Sequence, residues 1–221
     1  MLFDLRSRGR RRTVQAVYLG LAVLLGGGLV LFGVGAGVGG TGILSALTGN
    51  GSGGAQQQVV SQQEKDALKA TRSRPNDPAA WAALIQARDS SAKQGNNVDA
   101  TTGAFTAAGK KELTAETQAW QRYLALTKHS DPNLAVLVAR AYGALGDYAQ
   151  EVSAWEIQTL ASPSEAHGFE CLAASAYAAG QVQKGQLASD KALTLVPKIQ
   201  QLTLKQQLDQ AKTHPQVAQQ C

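Results

Sequence analysis

Residues 132–165 read PNLAVLVARAYGALGDYAQEVSAWEIQTLASPSE, and their spacing decides the fold. Val138, Ala139 and Tyr142 share one face at helical spacing. The pattern then breaks at Leu145-Gly146-Asp147-Tyr148, where a glycine tolerates the positive φ that ends a helix. A second helical stretch carries Trp155 and is closed by Pro163, which cannot extend it. The segment therefore predicts two helices joined by a tight turn. Small residues such as Ala139 let them approach, and Tyr142 and Trp155 fill the space between them.

The same marks return further along the chain. Gly146 and Gly180 are 34 residues apart, and so are Pro163 and Pro197, Tyr148 and Val182, and Gln158 and Ala192. Residues 166–197 thus form a second unit, read with one deletion in its first helix. Gly185 stands where alanine is usual and is expected to weaken that helix slightly. An earlier unit opens at Pro78, with Trp81 and Leu84 in the matching places. Pro78 and Pro132 are 54 apart, one period plus 20, which predicts an insertion. Ser90–Lys111, polar and rich in glycine, threonine and asparagine, is its expected site, with the helix resuming near Glu112.

This 34-residue frame resembles the tetratricopeptide (TPR) repeat over about residues 60–213. The resemblance implies an all-α domain, an α-solenoid of about three repeats spanning 59–213. Helix 59–73 reads as the second half of a degenerate leading repeat and should stop before Pro75. Asp77 is placed to cap the next helix and Pro78 to open it. Lys198–Lys212, with Gln200, Gln201, Lys205, Gln206 and Gln207 on one side, reads as a capping helix. Residues 214–221 are expected to be a tail.

The region before the domain has a different character. Residues 14–38, VQAVYLGLAVLLGGGLVLFGVGAGV, hold no charge. As a helix they would be roughly 37 Å long, enough to cross a hydrocarbon core of about 30 Å. Five arginines against Asp4 give residues 1–13 a charge of +4, and no basic residue follows the span until Lys65. Basic residues beside a span stay on the cytoplasmic side. The expectation is a single-pass anchor at 14–38, a basic cytoplasmic tail at 1–13 and a domain outside the cytoplasmic membrane. A cleaved signal peptide is the competing reading, but its apolar stretch is usually shorter. Gly33 to Gly37 fits the small-residue spacing that lets membrane helices pack, although glycine is common in such helices anyway. Residues 39–58, rich in glycine, serine and glutamine, read as a flexible linker. The layout resembles bacterial single-pass membrane-anchored TPR proteins.

Charge excludes one class of function. The whole chain carries 21 basic and 16 acidic side chains, but the tail takes most of the excess and leaves the domain near +1. No basic cluster on the domain points to nucleic acid. Catalytic residues, metal ligands and a cofactor site are all expected to be absent. His129, His167 and His214 have no partners at ligand spacing, no phosphate-binding or nucleophile motif appears, and Glu112 and Glu116 read as a solvated face. Cys171 and Cys221 carry two readings. They pair as a disulfide outside the cytoplasm, or Cys171 packs as a small apolar residue while Cys221 is loose.

What remains is surface. The TPR resemblance implies a partner groove lined by the first helix of each repeat. In this chain that places Ala79, Ala82 and Gln86, then Asn133, Val136 and Arg140, then Gly168, Cys171 and Ser175 on the groove. A protein or peptide held by shape is the expected ligand, with the bilayer held through residues 14–38. The expected function is a membrane-anchored adaptor or scaffold for exported or membrane-proximal proteins. The alternative is a structural component that oligomerises the anchor, and an enzyme is the third reading.

Overall fold

The computed structural model describes residues 52–221, with side chains from Gln58 onward. The expected tail at 1–13, the span at 14–38 and most of the linker lie outside these residues. Among the described residues no helix is long and apolar enough to cross a membrane.

The described chain is all-α. Its helices are α1 (Ser52–Ser73), α2 (Pro78–Ala92), α3 (Ala107–Leu126), α4 (Pro132–Leu145), α5 (Tyr148–Ala161), α6 (Ala166–Ala178), α7 (Val182–Leu195) and α8 (Lys198–Ala211). Two 3-10 segments, Gly95–Asn97 and Pro215–Gln220, complete it. From α2 to α8 each helix packs on the next, an arrangement compatible with a helical-repeat fold.

Local chemistry sets the boundaries. The Asp77 carboxylate accepts the Ala79 N–H at 3.0 Å, and Asp131 accepts that of Asn133 at 2.8 Å, each just before a proline in the first turn. Gly146 and Gly180 adopt φ of +78° and +72°. At both, two backbone bonds close the helix: Gly146 N–H to Gly143 and Asp147 N–H to Tyr142, then Gly180 N–H to Tyr177 and Gln181 N–H to Ala176. Two hairpins 34 residues apart are thus turned by one device.

Four boundaries differ from expectation. Helix α1 begins at Ser52 rather than Val59, running through Gly53 and Gly54 into Ala55 and the glutamines that follow, which are good helix formers. The two hairpins keep the period without a deletion: the first residues of α4 and α6, of α5 and α7, and the last residues of α5 and α7 are each 34 apart. Helix α3 resumes at Ala107, capped by the Thr106 hydroxyl, not near Glu112. The insertion therefore serves partly to lengthen α3, and only 93–106 is irregular. That loop folds on itself through the Val98–Phe105 bridge, the Asp99 carboxylate taking the N–H groups of Thr101 and Thr102, and a Gly103 turn. Finally, residues 214–221 are not a loose tail, since Ala218 is buried and Val217 and Cys221 pack on the core.

Apolar burial falls mainly into two clusters, one over α2, α3 and α4 and one from α4 to α8. Leu84, Ile85, Trp120, Leu134, Val138 and Tyr142 form one cluster, and Ala139, Trp155, Leu172, Ala173, Tyr177, Leu204 and Leu208 belong to the next. Trp120 stacks on Tyr123 at 5.3 Å between ring centroids.

Candidate partner groove

The face assigned to a partner is built mainly by α4 and α6. The structure places their residues in three different situations. Asn133 is exposed near the start of α4, and Val136 is half-buried against the core. Arg140 is exposed and donates from Nε to the backbone carbonyl of Cys221 at 2.8 Å. Cys171 and Ser175 are wholly buried, and the Ser175 hydroxyl donates to the Cys171 carbonyl at 2.8 Å. Gly168 is also buried, against the Gln158 side chain. Thus Gly168 and Ser175 leave the list of surface contacts, because the helical frame aims them at α5 instead.

The chain fills this face itself. The segment Pro215–Gln220 lies on α6 and reaches α4. Cys171 and Cys221 are joined by a disulfide. The Gln219 side chain donates to the Tyr148 hydroxyl at 3.1 Å, so α5 holds the segment as well. Leu204 and Leu208 of α8 support it from the other side. A small cleft of about 330 Å³ remains beside the disulfide, lined by residues that include His167, Glu170, Gln207 and Val217. His167 Nε2 is 3.7 Å from the Cys171 sulfur. The 93–106 loop packs instead toward Ala92, Leu113 and Ala141, away from these residues.

Ala79, Ala82 and Gln86 belong to a separate stretch on α2. Ala79 and Gln86 are exposed and Ala82 is half-buried. Helix α1 is pinned to α2 and α3 through Arg88, which pairs with Glu64 at 3.6 Å and Glu112 at 3.3 Å. Grooves flank it on both sides. One of about 640 Å³ is lined by Leu68, Trp81, Gln118 and Arg122 among others, and one of about 550 Å³ by Gln63, Asp66, Ala83 and Gln86.

Two wholly buried carboxyls were not anticipated. Glu116, expected on a solvated face, has no exposed surface, and neither carboxyl oxygen has a hydrogen-bond partner. Burial pushes its pKa up to about 9, the Asp89 charge adds to the rise, and Lys93 and Arg88 oppose it. Glu151 is equally enclosed. Burial raises it to about 7, while the nearby Ser175 hydroxyl and a hydrogen bond from Trp155 Nε1 at 3.3 Å pull it back. Both carboxyls precede a buried tryptophan by one helical turn, in Glu116-Thr117-Gln118-Ala119-Trp120 and Glu151-Val152-Ser153-Ala154-Trp155. That repeated spacing was the signal available in the sequence. Each carboxyl faces the preceding helix: Glu116 sits near Asp89, and Glu151 fills the space that Gly143 leaves open.

No family model matches this chain, and no curated protein or solved structure matches it either.

Proposed function

We propose that the chain is a single-pass membrane adaptor whose TPR-type domain stands outside the cytoplasmic membrane and docks a short segment of another protein. The observation that carries this reading is the seat of the closing segment on α4 and α6. A short peptide is held there by two small apolar side chains, Val217 and Ala218, and by a backbone carbonyl on Arg140. Such a surface recognises an extended or single-turn peptide by shape rather than charge. The 34-residue frame and the shared glycine turns support the TPR assignment, and the apolar stretch at 14–38 supports the anchor.

The test has two arms. Alkaline phosphatase fused after Cys221 should be active in cells, and a fluorescent protein fused there should be dark. A photo-crosslinking residue at Gln86 or Asn133, both exposed, should then capture a discrete partner in intact membranes. Fluorescence without phosphatase activity overturns the location, and lack of any discrete adduct at either position overturns the adaptor reading.

A structural role has its own observation. Ile199 and Leu202, one turn apart on α8, are 88% and 68% exposed, and Leu187 on α7 is 72% exposed. Apolar side chains left uncovered at the end of a helical stack suit a second copy of the domain. Light scattering on the full chain in detergent decides between the readings: a monomer favours the adaptor, and a stable oligomer lost in Ile199→Glu favours the structural role.

A further inference from the structure

We infer that the face of α4 and α6 is a peptide site under redox control, in which the closing segment 213–221 is the resident occupant and reduction of Cys171–Cys221 opens the place to a partner of the same chemistry. The partner class rests on the adaptor reading above. The gate rests on the geometry of the segment itself.

The segment has the marks of a ligand rather than of one more helix in the stack. It is a single 3-10 stretch, too short to bury a face of its own. Its hold comes from a few points: Val217 and Ala218 against the core, Gln219 on Tyr148, the Cys221 carbonyl on Arg140, and the disulfide. Only the disulfide is covalent. With that bond in place the segment cannot leave, and a competing peptide meets an occupied face. Without it, the segment stays tethered to α8 and competes as an intramolecular ligand at finite effective concentration.

The bond is also placed for exchange. Cys171 is wholly buried, whereas Cys221 retains exposure at the edge of the 330 Å³ cleft. An external dithiol reductant would attack through its thiolate at the Cys221 sulfur. A mixed disulfide forms, and the sulfur–sulfur bond breaks to release Cys171 as a thiolate beside the His167 ring, 3.7 Å away. The reductant's second thiol then closes on its own first sulfur and expels Cys221 as a thiolate. Two electrons pass from the dithiol to the protein. The two thiolates take up the two protons that the dithiol gives up. The occupant is then free to dissociate.

The experiment uses the full chain in detergent micelles and a fluorescein-labelled peptide THPQVAQQS, residues 213–221 with Cys221→Ser, read by fluorescence anisotropy. The oxidised chain should not bind it. The chain treated with dithiothreitol should bind measurably, and the Val217→Asp/Ala218→Asp chain treated in the same way should bind at least tenfold more tightly than the reduced wild type. Cys171→Ser/Cys221→Ser without reductant should behave as the reduced chain does, with circular dichroism confirming its helix content. Equal affinity in the oxidised and reduced chains overturns the gate. No binding by the reduced Val217→Asp/Ala218→Asp chain overturns the site, and crosslinking at Gln86 then still reports on the adaptor reading separately.

Discussion

Tyr177 on α6 covers Gly185 on α7 so closely that a Cβ added at Gly185 would come within 2.6 Å of the ring. The Tyr177 hydroxyl is fixed in turn by Ser189 at 3.1 Å and Gln186 at 3.3 Å. The glycine that sequence reasoning treats as a weak point of α7 is therefore the seat of an aromatic ring. One period earlier the partners are reversed: Gly143 on α4 makes room for Glu151 on α5. In each hairpin a missing side chain on one helix is matched by a large one on the other.

Gly185→Ala should accordingly destabilise the domain. Alanine improves helix propensity by about 1 kcal/mol, but overpacking against a fixed ring costs about 1–3 kcal/mol. A net loss in urea unfolding is expected, with Tyr177→Leu relieving it in the double variant. Gly168→Ala meets only the end of the Gln158 side chain, which can rotate away, so it should cost less than Gly185→Ala. The reverse ranking would show that the Tyr177 ring is free to move.

Glu116→Gln tests the buried carboxyl. A carboxyl whose folded pKa lies above its unfolded value contributes most below the unfolded value, near 4.5, and loses that contribution as pH rises toward about 9. Holding the group neutral at pH 7 costs on the order of 3 kcal/mol relative to pH 4.5, at 1.36 kcal/mol per pH unit. The glutamine carries no such cost. Its stability curve should be flatter between pH 5 and pH 9, and the variant should exceed wild type at pH 8. Parallel curves for the two proteins would mean that Glu116 is solvated. Glu151→Gln should flatten a narrower window, from about 4.5 to about 7.

The two glycine turns should be matched in cost. At Gly146 and Gly180 no atom lies near an added Cβ, so substitution is opposed by the left-handed backbone alone. Gly146→Ala and Gly180→Ala should each lose about 1–2 kcal/mol, measured by thermal unfolding, and by similar amounts if the hairpins are equivalent.

Loss of the disulfide should destabilise by up to about 4 kcal/mol, since it closes a loop of 50 residues in the unfolded chain. Hydrogen exchange should show, beyond the uniform loss that this global effect brings, an extra loss of protection at 213–221. Uniform loss with no such excess would mean that the segment is a structural keystone rather than a detachable occupant.

The sequence alone determined a good deal. Proline, glycine and aspartate act locally, so the turn at Gly146, its counterpart at Gly180 and the cap Asp77 were legible from residue type. Helical spacing likewise placed Val138, Ala139, Tyr142 and Trp155 on buried faces. Tertiary structure decided what periodicity cannot carry. Spacing puts Glu116 on a helix face but does not say what the face meets, and α2 enclosed it. Alanine in place of Gly185 would be harmless on an isolated helix, and only the ring of a residue on the neighbouring helix makes it costly. The closing segment has too little apolar pattern to announce that it packs. Its place on α4 and α6 comes from contacts made across the chain, Arg140 to Cys221 and Cys171 to Cys221, which no local signal encodes.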